Sequence, residues 1–342
     1  MGKITIGIIG AGRIGRLHAE NIAPLHNVRI KTISDIFVEN VEEWSRQIGI
    51  ETVTTNYQDI LNDPEIDAVF ICSPTSTHIS IIQEAAQAGK HIFCEKPISF
   101  SVEETQRVLE IVKEAGVKLQ VGFNRRFDPN FKKVHDTVKN GVVGDPHILK
   151  ITSRDPEPPP ADYIKNSGGL FFDMAIHDYD LARYVVGSEV EEVYVQGAIL
   201  IDPIFGELDD IDTALTVLKF ENGTIGVIDN SRKAVYGYDQ RLEVFGSNGS
   251  VTAQNEHPTN VEISTSNGVV KDTLKHFFLD RYKEAYMIET HAFIDSVIND
   301  KPLVCVGNDG LQAELIANAA KESLETGKPV KIRREVFELS VE

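Results

Sequence analysis

The chain has 342 residues, with 34 Lys and Arg against 52 Asp and Glu, for a formal net charge of −18. That balance argues against a nucleic-acid binder, which needs a basic face to neutralise phosphates. It does not constrain a small substrate, because charge at a site can oppose the charge of the whole. The length suggests two domains. Cys72, Cys94 and Cys305 are odd in number and widely spaced, which speaks against a disulfide framework or a zinc site and fits a reducing cytosol. No apolar stretch approaches the roughly 18 residues of a membrane span. The short run after Met1-Gly2-Lys3 lacks the form of a signal peptide, and Ile6 stands where a myristoylation motif needs Ser or Thr.

The first third alternates strands and helices. The pattern predicts strands at Ile4–Ile9, Val28–Ser34, Ala68–Cys72, His91–Cys94 and Lys118–Phe123. Helices are expected at Arg13–Ala23, Val38–Ile48, Thr77–Ala88 and from Ser101 to Gly116, where Ser101 and Glu104 form a capping box. Such alternation implies parallel βαβ units whose strands are buried on both faces. Near Asn124 the rhythm changes. A helix at Asn130–Asn140 precedes strand candidates at His147–Arg154, Glu192–Ile201, Thr213–Phe220, Gly223–Asn230, Gln240–Phe245 and Ser250–Ala253. Turn signals at Glu221-Asn222-Gly223, Ser247-Asn248-Gly249 and Ser266-Asn267-Gly268 suit an antiparallel sheet. From Arg281 the chain reads as helical to about Lys331–Arg333. The expected fold is an α/β Rossmann domain over 1–123 and an α+β domain with a large, mainly antiparallel open sheet over 124–300, with about 300–342 returning to the first domain.

The first motif, Gly10-Ala11-Gly12-Arg13-Ile14-Gly15, follows a strand and opens a helix. Gly10 allows the tight turn, Gly12 lets backbone approach a pyrophosphate, and Gly15 lets the helix pack on the strand. The pyrophosphate then sits at the helix N-terminus. Asp35, twenty residues past Gly15, is placed to accept hydrogen bonds from the adenine-ribose hydroxyls and to repel a 2′-phosphate. Ile36 and Phe37 follow it rather than Arg, which favours NAD over NADP. A glycine turn without a ligand is the competing explanation.

Glu95-Lys96-Pro97 stands at the carboxyl end of a parallel strand, where open α/β sheets bind ligands. Lys96 suits stabilisation of a developing alkoxide; as an isolated residue it would be a solvated lysine. Ser73, Pro74, Thr75 and His78, after the preceding strand, are candidates for the nicotinamide side, or Thr75 or Ser76 caps the next helix. In Gly168–Asp180, helical spacing puts Asp173 and His177 on one face, so that a carboxylate accompanies a general base. A metal reading finds no third ligand at matching spacing, and a buried core histidine is the remaining alternative.

Together the glycine loop, Glu95-Lys96-Pro97 and Asp173…His177 with Asp180 resemble, in order and spacing, the glucose–fructose oxidoreductase/inositol dehydrogenase family over nearly the whole chain. Gly122–Asp128, Ser153–Pro156 and Tyr236–Asp239 are similar to the bacterial inositol 2-dehydrogenases. Ala175, where many relatives have Gly, is one departure. The resemblance implies NAD-dependent oxidation of an inositol ring hydroxyl to a keto-inositol, with scyllo-inositol favoured and myo-inositol a close second. It implies His177 as base, Lys96 holding the reacting oxygen, Asp173 orienting His177 or Lys96 and binding a neighbouring hydroxyl, and a homotetramer, while the cysteine usage suits a cytoplasmic location. Arg126, Asp155 and Tyr236 become candidates for the remaining hydroxyls, although Tyr236 and Tyr238 equally suit hairpin packing. Glu95, Arg13 and Ile14 join the cofactor residues. Another sugar or polyol dehydrogenase, an NAD-using glycosidase and a non-catalytic NAD-binding sensor are the alternatives.

Overall fold

The computed structural model describes residues 4–39 and 41–333. Strands β1 (Ile4–Ile9), β2 (Val28–Ser34), β3 (Thr52–Thr54), β4 (Ala68–Ile71), β5 (His91–Cys94) and β6 (Leu119–Val121) form a parallel sheet in the order β3-β2-β1-β4-β5-β6. The order reverses at β1, the switch point of a doubly wound sheet. β4 is apolar along its whole length, and β1 apart from Thr5 and Gly7, because helices cover both faces. The helix Arg13–Ile22 buries Gly15, His18, Ala19 and Ile22, one face at i, i+3, i+4 and i+7. The helix Val102–Ala115 starts at Ser101, whose hydroxyl accepts from the Glu104 amide at 3.3 Å, and stops at Gly116 in the left-handed region (φ 66°). The capping box is half made: the Glu104 carboxylate takes the Ser99 hydroxyl instead of the Ser101 amide.

The second sheet comprises β7 (Pro146–Arg154), β8 (Val190–Ala198), β9 (Thr213–Phe220), β10 (Ile225–Ser231), β11 (Asp239–Gly246) and β12 (Gly249–Ala253), and a short strand from the end of the chain joins it. A separate hairpin pairs β13 (Glu262–Thr265) with β14 (Gly268–Lys271), and β15 (Val330–Lys331) is that joining strand. The order is β12-β11-β7-β10-β9-β8-β15, antiparallel except for β7–β10. β9 alternates strictly, with Ala214, Thr216, Leu218 and Phe220 inward and Leu215, Val217 and Lys219 outward.

By its contacts the chain divides into two units. One runs to Phe127 and takes in Glu284–Glu314; the other comprises Asp128–Lys283 and the described residues from Leu315 onward. The sequence reading returns about 300–342 to the first unit. The return instead begins at Glu284 and ends at Glu314. Beyond it the chain bonds to the second sheet: Val195 N donates to Ser323 Oγ at 3.0 Å, and Val330 pairs with Val193. The helix expected at Val38–Ile48 is Glu42–Gln47, and β3 and β15 are strands too short and too polar for periodicity to find.

Candidate active site

In the first unit Gly10 has φ +99°, and a Cβ there would lie 2.6 Å from the Cys72 carbonyl carbon. A Cβ on Gly15 would lie 1.9 Å from Gly10 O, so the helix approaches the turn as closely as backbone allows. At Gly12 a Cβ would meet nothing within 4 Å. This position opens outward at the start of the helix, where Arg13 and Ile14 supply first-turn amides, and a pyrophosphate fits there. Asp35 follows β2. Its Oδ2 accepts from Ala11 N at 2.7 Å and its Oδ1 from Phe37 N at 2.9 Å, so one carboxylate holds both the glycine loop and the turn after β2. Ile36 and Phe37 are exposed beside it. The residues present thus fit a dinucleotide.

The Lys96–Pro97 peptide is cis and half-buried Lys96 follows β5. The residues around it are held by buried groups. His78 bonds the carbonyls of Pro97 (Nδ1, 2.8 Å) and Ser73 (Nε2, 2.9 Å). Burial lowers its pKa while the two carbonyls pull it back; a neutral ring donates to one carbonyl, the doubly protonated ring to both. His78 therefore joins the Ser73 and Pro97 segments from beneath, its ring nitrogens committed to main chain. The helix at His78 takes Thr77 as N-cap with no side-chain cap bond, while Ser73 Oγ meets Thr77 Oγ1 at 2.7 Å. Thr75 opens the single turn between Pro74 and that helix.

Glu95 Oε1 lies 2.9 Å from His18 Nε2, and His18 Nδ1 lies 2.8 Å from Thr290 Oγ1. The Thr290 hydroxyl donates to Tyr286 O, which leaves its oxygen as the acceptor facing Nδ1. His18 thus ties the dinucleotide helix to the residue beside Lys96. Glu314, fully buried, accepts from the amides of Ile98 (2.9 Å) and Ser99 (3.1 Å) and from Thr105 Oγ1 (2.6 Å). Burial pushes its pKa up to about 8 against those three donors. Arg126 is buried, with Nη1 donating to Val304 O at 3.1 Å and Nη2 paired to Asp309 at 2.9 Å, so two of its nitrogens serve its own unit.

In the second unit the turn Phe171–Ala175 is π-helical and the α-helix Ile176–Val186 follows. The α-helical spacing expected of Asp173 and His177 is therefore replaced by a wider turn, a device frequent at functional sites. Asp173 Oδ2 pairs with Arg232 Nη1 at 2.9 Å, and Tyr163 OH donates to its Oδ1 at 2.7 Å. Arg232 Nη1 also lies 3.3 Å from Asp155 Oδ2. Burial and then the Asp173 charge raise the Tyr163 pKa; burial opposes charge on Arg232, and Asp173 and Asp155 outweigh it, raising its pKa. His177 is half-buried, with Nδ1 on the buried side. Tyr236 belongs to a polar set, not a hairpin stack: its OH donates to Asp239 at 2.6 Å and accepts from Arg154, which is paired to Asp229. Tyr238 is the packed one, edge-on to Tyr282 at 6.0 Å.

Arg232 and Tyr163 were not found from the sequence. The available signal was slight: polar Asn230-Ser231-Arg232 ends a strand that otherwise alternates. Among the described residues no group of three or more His, Cys, Asp or Glu is arranged to hold a metal ion.

A doubly wound sheet with this glycine cradle and Asp35, together with a second unit that has an open, mainly antiparallel sheet and an Asp155–Asp173–Arg232 cluster, defines an NAD-dependent oxidoreductase. Residues 4–123 match the oxidoreductase family with NAD-binding Rossmann fold, and residues 131–252 match the GFO/IDH/MocA C-terminal domain. The chain belongs to the GFO/IDH/MocA family. It is 58% identical to the uncharacterized oxidoreductase YrbE of Bacillus subtilis (96% of this chain, 97% of that one). It is 47% identical to the myo-inositol 2-dehydrogenase of Thermotoga maritima (96% and 98%). The solved scyllo-inositol dehydrogenase of Lactobacillus casei with bound NAD(H) and scyllo-inositol superposes with a TM-score of 0.90 at 31% identity, covering 96% of this chain and 99% of that one.

Proposed function

We propose that this chain oxidises a ring hydroxyl of an inositol to the keto-inositol, with scyllo- and myo-inositol both within its range. The observation that carries the reading is the charge of the Asp173 cluster. Asp155, Asp173 and Asp210 surround one guanidinium, that of Arg232. Such a surplus of carboxylates repels a phosphorylated or nucleotide-linked sugar and accepts from the hydroxyls of a neutral polyol. A missing or inverted hydroxyl then leaves a buried acceptor unpaired, which discriminates stereoisomers.

In this reading His177 takes the hydroxyl proton on Nε2, because Nδ1 is on the buried side. Lys96 donates to the same oxygen and opposes its developing negative charge. Asp173 remains a carboxylate and accepts from a neighbouring hydroxyl. The glycine loop, Asp35, and the Ser73-Pro74-Thr75 and Glu95 segments hold the nucleotide, which when bound supplies the hydride acceptor. An outer sheet face with exposed Ile148, Leu215, Val217, Ile225 and Phe245 supports the homotetramer that the family resemblance implies. Free Cys72, Cys94 and Cys305 suit a reducing cytoplasm.

The test is a reduction screen with NAD and NADP across inositol isomers and free sugars. Reduction of NAD by scyllo- or myo-inositol is expected, and turnover confined to a phosphorylated or nucleotide-linked sugar would sink the assignment. Steady turnover also excludes a sensor. For His177→Ala, turnover falls by roughly 10²–10⁴ while NAD binding persists; undiminished turnover would remove His177 from the base role.

A further inference from the structure

We propose that Arg232 is the positioning residue of this reaction: its guanidinium aligns Asp173 and Asp155 and keeps both as carboxylates. The proposal rests on the dehydrogenase reading and assigns a residue that the sequence motifs leave out.

Arg232 is 3% exposed and stands at the carboxyl end of β10, where β7 and β10 run parallel. Its backbone is fixed on three sides. Arg232 N donates to Asp212 O at 2.9 Å, Asp155 N to Ser231 O at 2.9 Å, and Ala234 N to Asp155 O at 2.6 Å. Segments near 155, 212 and 232 therefore converge on one point, and the guanidinium leaves it toward the π-turn. There Nη1 takes one oxygen of Asp173, and Tyr163 OH takes the other. Two donors from different elements select a single Asp173 rotamer, the pre-organisation that a hydroxyl acceptor needs.

The charges around Asp173 come from every side of the cluster. Asp155 follows β7, Asp210 precedes β9, Tyr163 lies on the turn Ala161–Ile164, His177 is on the next helix, and Arg232 is the cation. Burial already raises the Asp210 pKa, and Asp173 adds to that rise. Without the guanidinium, Asp173 would face Asp155 and Asp210 as like charges and would hold its proton to higher pH. Arg232 Nε and Nη2 make no hydrogen bond to the described residues. A lysine reaching the same carboxylates therefore loses little that the protein uses.

The test compares Arg232→Gln and Arg232→Lys with the wild-type chain, with melting curves to establish folding. In Arg232→Gln, kcat at neutral pH is expected to fall about 100-fold, with the KM for NAD unchanged. The acid limb of the kcat profile is expected to move up by about one pH unit or more. Arg232→Lys should restore at least about tenfold of the loss and return the limb toward wild type. A wild-type kcat and an unmoved limb in Arg232→Gln would overturn the proposal. So would an Arg232→Lys enzyme with kcat lost and its limb displaced, and that arm decides the matter if Arg232→Gln does not fold. A second readout does not depend on turnover: the ¹³C carboxyl titration of Asp173, assigned through Asp173→Asn. If no polyol reduces NAD, the dehydrogenase reading fails, while this titration still judges Arg232. A raised Asp173 midpoint in Arg232→Gln that falls back toward wild type in Arg232→Lys upholds its role, and an unchanged midpoint in Arg232→Gln removes it.

Discussion

Lys96 owes its placement to residues that do no chemistry themselves. His78 holds the carbonyls of Ser73 and Pro97, Glu314 holds the next two amides, and His18 grips Glu95. Five consecutive residues, Glu95 to Ser99, are thereby fixed by three buried ionisable side chains, whereas a loop held by water alone would sample many positions. Glu314 also carries a pH signature. Its pKa of about 8 in the folded chain stands above its ordinary 4.5. Between those values the unfolded chain has released this proton and the folded chain has not, so the protonated, folded state loses ground as pH rises through the window. Below about pH 4.5 the preference is absent, and above about 8 its cost is complete and constant. Glu314→Gln keeps an oxygen for the two amides and cannot titrate. Its Tm relative to wild type should therefore rise steadily from about pH 5 to about pH 8 in calorimetry; a difference that stays level with pH would contradict the assignment. None of this support was visible in the sequence, because His18, His78 and Glu314 show no spacing relation to Lys96 and meet it only through the fold.

At the scale of elements, the strand–turn–helix that opens the chain separates folding from binding within three residues. Gly15→Ala would drive a Cβ into the Gly10 carbonyl at 1.9 Å and should lower both Tm and NAD affinity. Gly12→Ala meets nothing within 4 Å, so its Tm should stay near wild type while NAD affinity falls, because the methyl group occupies the pyrophosphate's approach. Thermal melts with and without NAD distinguish them; equal NAD-induced stabilisation of wild type and Gly12→Ala would place the pyrophosphate elsewhere. This element was legible because its glycines are required locally and its strand is rich in buried isoleucine. Ile4–Ile9, Val28–Ser34, His91–Cys94 and Thr213–Phe220 were legible for the same reason: burial on both faces or strict alternation writes itself into consecutive residues. The π-turn at Phe171–Ala175 and the short strands β3 and β15 were not, since tertiary pairing decides them. The Asp173–Arg232–Asp155 cluster was half legible. The motif residues stood out, but their cation comes from a segment with no motif.

Over the whole molecule the net charge of −18 argued against a nucleic-acid partner without indicating a substrate. The local count is more informative: three carboxylates against one guanidinium favour a neutral, hydroxyl-rich ligand. The proposed homotetramer makes a direct prediction. Leu215→Glu puts a charge on the outward sheet face, where Leu215 is 51% exposed, and should convert a species of four times 38.0 kDa to smaller ones in light scattering. A wild-type chain that is monomeric would refute the interface.

The division of the chain into units also has a consequence for how the protein is made. Phe293 packs edge-on against Phe70 at 5.3 Å and Phe93 at 5.8 Å in the centre of the dinucleotide-binding unit. The second sheet receives its last strand at Val330–Lys331. A chain emerging from the ribosome therefore completes neither unit in passing. The first third must wait for the roughly 150 residues of Asp128–Lys283 to be translated before its aromatic core closes, about 10–30 s at ordinary elongation rates. During that interval the stacked faces of Phe70 and Phe93 stay open to chaperones or to a neighbouring nascent chain.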